Sequence, residues 1–394
     1  MECKICNNKN INKVINLGLQ PLANKYPKSV NDFDDEKFYE LALLFCNNCL
    51  SAQIENIINR SEMFEDYYYL SSVNLGLVRH FTELSKKIKS NSFVLDIGSN
   101  DGVLLQPLKN QGIKALGVDP SKNVGKIANE KGLETIIDFF SKKTVELIKA
   151  NYGMPDVIVA SSIFTHLKNP IDFAQNIKNL LQDKGTFILE IEYLKNFITQ
   201  LQFERFYFDR PFYYSLNSVN ILFKSIGMSL TDIEFIDTHG GSLRCFISNT
   251  ENADASERVK KTIYKEKQLM NQKFLIDFNT TIFTEAKKFK NELIKLKNDG
   301  KKIIGYGAPA RVSTITNVAE IGEELIEYII DDSPLKQNRF SPGRHIPIFS
   351  KEKLIHENVD IMIVFAYDYF KDINKKTAQL NCEYYKPIPF TKLI

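Results

Sequence analysis

The sequence predicts an α/β protein in three parts: a small N-terminal metal-binding module, a mainly parallel sheet covered by helices, and a second, smaller α/β domain. Three observations carry that prediction. Two Cys-x-x-Cys pairs bracket the N-terminal region, which otherwise reads as loop-rich and Asn-rich. From about residue 75 to 250, apolar strand-like runs alternate with helical stretches, the rhythm of parallel strands joined by helices. After a long, Lys-rich, glycine-free stretch, the same rhythm restarts at Lys302. The expected divisions are 1–72 for the metal-binding module, 73–255 for the central domain, 256–298 for a helical connector and 299–394 for the C-terminal domain.

The chain of 394 residues is long enough for two or three domains. Its net charge of +3 gives no electrostatic footprint for nucleic acid. Lys260 to Lys267 and Lys287 to Lys302 mix basic with acidic and apolar residues, so they read as solvated helix faces. No apolar run approaches bilayer length, and Met-Glu-Cys-Lys-Ile-Cys is no export signal. The expectation is a cytoplasmic protein with no membrane and no nucleic-acid partner.

Cys3-x-x-Cys6 and Cys46-x-x-Cys49 place four thiolates in two knuckles. A two-residue spacer lets both sulfurs of a pair reach one tetrahedral metal. In a reducing compartment this pattern indicates structural Zn²⁺ rather than disulfides. Four thiolates would leave no open position for catalysis.

In the central part, the strand Phe93–Ile97 runs into a small-residue turn, Asp96-Ile97-Gly98-Ser99-Asn100-Asp101-Gly102, and then a helix. Such a turn lets backbone approach a ligand at the carboxyl end of a strand. The next strand, Ala115–Val118, ends in Asp119-Pro120, where an acid can accept hydrogen bonds from a ribose diol. Gly98-x-Asn100-x-Gly102 lacks the G-x-G-x-x-G spacing that seats a pyrophosphate. It resembles instead the loop of class I methyltransferases, whose cofactor, S-adenosylmethionine, carries adenosine without phosphate. Asp96, Gly98, Asn100, Gly102, Asp119 and Pro120 are the expected cofactor contacts.

A second motif, Gly305-Tyr306-Gly307-Ala308-Pro309-Ala310, fits G-x-G-x-x-A, and Asp331 and Asp332 follow at a dinucleotide-like distance. Pro309 removes one amide from that turn. The preferred reading is a Rossmann-like domain that docks the substrate's nucleotide; the rival is an NAD-dependent or non-catalytic sugar-nucleotide-binding module.

Several segments together resemble one family, the three-domain sugar C-methyltransferases of deoxysugar biosynthesis. They are Leu17 to Asn24, Tyr67 to Ser72, Asp96 to Gly102, His239-Gly240-Gly241-Ser242-Leu243-Arg244, Gly305 to Arg311, and Pro342 to Pro347. The resemblance runs nearly end to end. It implies a zinc module, a central class I methyltransferase Rossmann-like domain and a C-terminal Rossmann-like α/β domain that helps enclose a nucleotide-linked 4-keto sugar. Tyr67, Gly241, Arg244, Gly307, Arg311 and His345 are the substrate contacts it implies.

The family's chemistry removes a proton beside a ketone and lets the carbanion take the methyl group, which requires a base, an oxyanion donor and exclusion of water. Members carry a Tyr-His-Glu-His run whose last His is a favoured base. In the equivalent stretch Phe203, Tyr207, Tyr213 and Ser215 keep the register, but Phe208, Asp209 and Arg210 follow Tyr207. Arg210 cannot act as a general base and is suited to holding a phosphate or carboxylate. His166, matching a family histidine, and Asp209 are the candidate replacement bases. Tyr69 and Tyr207 are candidate hydrogen-bond donors. O-methylation of a hydroxyl on a similar sugar nucleotide is the alternative reaction, since it needs less base assistance.

Overall fold

The computed structural model describes residues 1–58 and 71–394; Tyr67 and Tyr69 lie outside the described residues. Strands β1 (Ile11–Pro21), β2 (Phe38–Cys46) and β3 (Ala52–Ile54) form an antiparallel sheet where loops were expected. The reason lies in the register. β1 pairs with β2 through irregularities between Lys13 and Ile15 and between Asn16 and Leu19. Such bulges break the alternation of side chains, and with it the period of two by which a strand is recognised.

Next come β4 (Phe93–Ile97), β5 (Lys114–Val118), β6 (Thr135–Ile136), β7 (Val157–Ser161), β8 (Thr186–Glu192), β9 (Phe212–Tyr213), β10 (Ser229–Ile236) and β11 (Ser242–Ser248). All but β9 build one sheet in the order β10-β11-β8-β7-β4-β5-β6. The run from β8 to β6 is parallel, and β11 enters antiparallel to β8. Strand order reverses between β4 and β7, which opens a crevice at the carboxyl ends there. Strand β9 leaves this sheet and pairs with β3, Ala52 opposite Tyr213. A piece of the central stretch of chain therefore completes the N-terminal sheet.

The last sheet contains β12 (Ile303–Tyr306), β13 (Ile329–Ile330), β14 (Arg339–Phe340), β15 (Pro347–Phe349), β16 (Ile361–Val364), β17 (Glu383–Lys386) and β18 (Thr391–Leu393). Its order is β14-β15-β13-β12-β16-β17-β18, parallel except at its two edges. Strand β13 begins only at Ile329, because the Leu325 and Ile326 amides turn back to the Gly322 carbonyl at 3.2 and 3.1 Å.

The stretch read as a connector is two helices, Glu257–Leu269 and Gln272–Asn298. The Asn271 side chain caps the second, accepting the Phe274 amide at 3.0 Å. Leu275, Phe278, Ile282, Ala286, Phe289 and Leu293 recur at intervals of three and four and are buried, one apolar stripe. The first helix packs on the Leu216–Ser225 helix and β10; the second packs on β1, β12 and the Arg311–Ala319 helix. The second helix thus joins the N-terminal and C-terminal sheets in one hydrophobic cluster.

Candidate active site and metal centre

The four knuckle cysteines converge. Their sulfurs lie within 4.8 Å of one another, Cys3 3.6 Å from Cys49 and Cys6 3.5 Å from Cys46. Sulfurs bound tetrahedrally to zinc at roughly 2.3 Å stand about 3.8 Å apart, so the cluster fits a closed structural Zn²⁺ site. None of the four is in a disulfide. The Asn48 amide donates to Cys6 Sγ at 3.5 Å, a contact that steadies a metal thiolate. The knuckle also holds another part of the chain: Ser215 Oγ donates to the Cys49 carbonyl at 2.9 Å and Asn217 to the Asn48 carbonyl at 3.2 Å.

At the carboxyl end of β4, Gly98 and Gly102 take φ of +77° and +86°. A side chain would meet Ile163 Cγ2 at 2.5 Å from Gly98, and Leu133 Cδ1 at 2.4 Å from Gly102. Between them Asn100 is also left-handed, with φ 50°, a conformation Asn tolerates. Its side-chain oxygen accepts the Ser71 and Asp101 amides at 3.0 and 2.9 Å. Asp119, followed by Pro120 at the end of β5, accepts the Asn100 amide at 2.9 Å and the Ser121 amide at 2.8 Å. This acid is thereby aimed at the glycine turn, and the narrow backbone cradle fits an adenosine cofactor without phosphates. Asp96 lies beneath it; burial, then the Asp119 and Glu190 carboxylates, push its carboxyl up to about 8.

The segment from Phe203 to Tyr214 brings residues to the ends of β7 and β8. The Tyr213 hydroxyl staples it, accepting the Tyr207 amide at 3.1 Å. His166, in the turn after β7, donates from Nδ1 to the Asp209 carbonyl at 2.6 Å, which places the ring's lone pair on Nε2. The Asp209 carboxylate accepts the side-chain amide of Asn24 from the N-terminal module. Arg210 sits 2.7 Å from Glu192 Oε1 at the end of β8 and 5.1 Å above the Tyr207 ring. Burial would push this guanidinium down, but Glu192 more than offsets it. Arg210 can only donate.

Arg244 is tied into an ion-pair network. From β11 its Nε and Nη1 reach Glu190 and Glu234, each at 2.7 Å, and His80 also meets Glu190 at 2.9 Å. Burial raises Glu190, yet the His80 hydrogen bond and the His80 and Arg244 charges bring it down to about 2. Gly241, at φ +105°, lets the chain pass where a side chain would stand 2.4 Å from Asn196 Nδ2.

In the second glycine turn two amides are occupied and a third position has none. Gly307 donates to Ile330 at 2.7 Å, Ala308 donates to Asp331 Oδ2 at 2.6 Å, and Pro309 has no amide. Those three positions offer no amide to a dinucleotide's pyrophosphate, and the Tyr26 hydroxyl donates to the Ala308 carbonyl at 2.6 Å. His345 is held between modules: it lies 2.8 Å from Glu36 Oε2 and stacks on Phe33 with centroids 3.6 Å apart. Arg311 binds Asp368 at 2.6 Å, as Arg205 does at 3.0 Å.

Residues 3–64 match a family profile described as a putative zinc binding domain, 69–233 a methyltransferase domain, and 237–389 a C-methyltransferase C-terminal domain. The chain belongs to the zinc-containing C-methyltransferases. It is an S-adenosylmethionine-dependent methyltransferase. Along its whole length it is similar to C-methyltransferase NovU of Streptomyces niveus, 26% identical over 406 residues, covering 100% of this chain and 96% of that protein. Ubiquinone biosynthesis O-methyltransferase of Maricaulis maris is 26% identical over 134 residues, 32% of this chain and 52% of that one. Among solved structures, magnesium protoporphyrin IX methyltransferase of Synechocystis with bound S-adenosylmethionine is 13% identical, covering 45% of this methyltransferase and 81% of that chain with TM-score 0.35. No helix among the described residues is long and apolar enough to cross a membrane.

Glu190, Glu192, Asp368 and Lys386 were not among the expected site residues, and His239 entered only within the family-like His239–Arg244 segment. A signal existed for Glu190 and Glu192: acids inside the apolar strand Thr186–Glu192, where unpaired carboxylates are rarely buried. Asp368 and Lys386 carried none, because their partners come from distant parts of the chain.

Proposed function

We propose that this methyltransferase places a methyl group on carbon beside a ketone in the sugar of a nucleotide-linked sugar, in a cytoplasmic setting. The observation that carries the substrate is a charge cluster between the central sheet and the C-terminal domain. Arg311 opens the helix after β12, and Tyr367 and Asp368 follow β16. This is where strand order reverses in the last sheet, the place where open α/β sheets take ligands.

Arg205 and Arg311 share Asp368, and Arg311 and Lys386 each stand 4.5 Å over the Tyr367 ring. The Tyr367 hydroxyl donates to Glu204. Three cations thus face two carboxylates. Among the described residues, buried Arg205 Nε and Arg311 Nη1 meet no hydrogen-bond partner, and burial pushes the Lys386 ammonium down. Unused donors and excess positive charge suit a diphosphate. A nucleotide seated here would direct its sugar along Arg205–Arg210 toward Tyr207.

S-adenosylmethionine, when bound at the Asp96–Gly102 turn, supplies a sulfonium methyl group for a nucleophile to take. Arg210 is the donor placed to stabilise a developing enolate oxygen. Tyr207, over which it stacks, would orient the sugar. Asn24 and Thr314, the latter donating to the Phe206 carbonyl at 3.3 Å, hold the segment against both flanking modules and exclude water.

O-methylation is the second reading, favoured by the same Arg210, which takes no proton where the family carries a base. Incubation with methyl-labelled S-adenosylmethionine and nucleotide sugars, some keto and some fully reduced, distinguishes them by NMR of the product. A methyl on carbon beside the ketone supports the proposal. A methyl on oxygen replaces it with the second reading, and no transfer to any sugar overturns both.

A further inference from the structure

Besides Arg210, Glu192 has a second neighbour of interest. Thr238–Gly240 forms a tight turn immediately before β11, and β11 pairs with β8 so that Ser242 stands opposite Glu192. The turn is set over the carboxyl end of β8, where Glu192 meets Arg210. His239 within it is left-handed, φ 52° and ψ 36°, a conformation kept only when the surroundings impose it. They do so here: a side chain at Gly240 would meet Arg205 Nη2 at 2.3 Å, and one at Gly241 would meet Asn196 Nδ2 at 2.4 Å. Gln202 Nε2 further ties the turn, donating to the Gly240 carbonyl at 3.3 Å.

Glu192 is buried, and among the described residues neither of its carboxylate oxygens meets an aligned hydrogen-bond donor. Its contact with Arg210 is an ion pair at 2.7 Å without hydrogen-bond alignment. A carboxylate held this way has oxygens to offer a neighbouring imidazolium. The charges facing His239 are Glu192, Arg210, Arg205 and Asp368; those facing Glu192 are Arg210, His239 and His166. Burial pushes the His239 ring below its ordinary value and Glu192 draws it back, so the ring is neutral near pH 7.

Resting on the carbon-methylation reading, we propose that His239, backed by Glu192, is the base that replaces the family's histidine at the Arg210 position. A ring nitrogen takes the proton from the carbon beside the ketone. The C–H electron pair remains on the substrate as an enolate, whose oxygen faces Arg210, and Glu192 stabilises the imidazolium until the proton passes to solvent. His166 keeps the Asp209 carbonyl in place and acts as a positioning residue.

The test is solvent deuterium exchange into the proton beside the ketone of a nucleoside-diphosphate 4-keto-6-deoxyhexose, with methyl transfer measured in parallel. His239→Asn is the primary variant, because Asn accepts a left-handed backbone; Glu192→Gln and His166→Asn accompany it. Tm and S-adenosylmethionine affinity are recorded for each. Exchange should fall at least about 100-fold in His239→Asn, in line with loss of a general base, and by less than about tenfold in His166→Asn. Wild-type exchange should rise with pH and level off once His239 is deprotonated, and this rise should vanish in the variant. Exchange kept in a folded His239→Asn, or lost only in His166→Asn, overturns the assignment while leaving carbon methylation intact. If wild type neither exchanges nor methylates the keto sugar, the functional reading itself fails, whatever the variants do. Glu192→Gln gives an independent check: with Tm retained, unchanged exchange removes Glu192 from the proposal.

Discussion

Asp96 holds its proton across much of the neutral range because burial, and then Asp119 and Glu190, raise its carboxyl to about 8. An unfolded Asp titrates near roughly 3.9. With the folded value higher, the contribution to stability is full below about pH 4 and is lost as pH rises through 8. Calorimetry between about pH 5 and 9 should therefore show Tm declining, and Asp96→Asn should flatten the decline; an unchanged slope places its origin elsewhere. Gly102→Ala meets two obstacles at once, φ +86° and Leu133 Cδ1 at 2.4 Å. Its cost should be roughly 1–3 kcal/mol, with S-adenosylmethionine affinity reduced in titration calorimetry. Arg244→Ala leaves Glu190 buried with His80 and Ser161 as partners. Denaturant melts should show a loss of roughly 3–5 kcal/mol, typical of breaking a buried pair. A change confined to sugar-nucleotide KM would instead assign Arg244 to substrate.

Among elements, β9 has the most consequence for its length. It ties Phe212 and Tyr213 to β3 in the zinc-bearing sheet, while the residues just before it carry Tyr207, Asp209 and Arg210. A metal bound by the knuckles would therefore steady the Tyr207–Arg210 segment without touching the Gly98–Gly102 turn. Chelation, or Cys49→Ser, should abolish methyl transfer and lower Tm while S-adenosylmethionine affinity changes less than about threefold; equal loss of both would refute this division. Legibility also varied by element. The Gln272–Asn298 helix announced itself through its apolar spacing, and β4, β5, β7 and β8 through compact apolar runs. β1 did not, because its bulges disrupt alternation, and β9 is only two residues long.

For the molecule as a whole, Asp368 joins Arg205, in the Phe203–Tyr214 segment, to the C-terminal domain. Burial opposes its ionisation, but Arg311 and Arg205 bring its carboxyl down to about 2. The stabilisation is thus present above the unfolded value near roughly 3.9 and is lost as pH falls through 2. Arg311→Ala should raise the nucleotide-sugar KM by on the order of tenfold, as expected for a lost charged hydrogen bond, with S-adenosylmethionine affinity unchanged. An unaltered KM would remove Arg311 from the anion seat.

Local chemistry was enough for part of this. The zinc knuckles, the Gly98–Gly102 turn with Asp119, and the strand–helix rhythm depend on residues close in sequence, whose spacing alone fixes what backbone and sulfur can do. The same reading recognised that Arg210 could not be a base. It had no means of finding Glu192 as its partner, His239 over the end of β8, or Arg205, Arg311 and Lys386 around Tyr367. Those groups are assembled by β9 crossing into another sheet and by the Gln272–Asn298 helix joining two cores. Such charges are stable in burial only as a set, and only the tertiary fold decides which members share one.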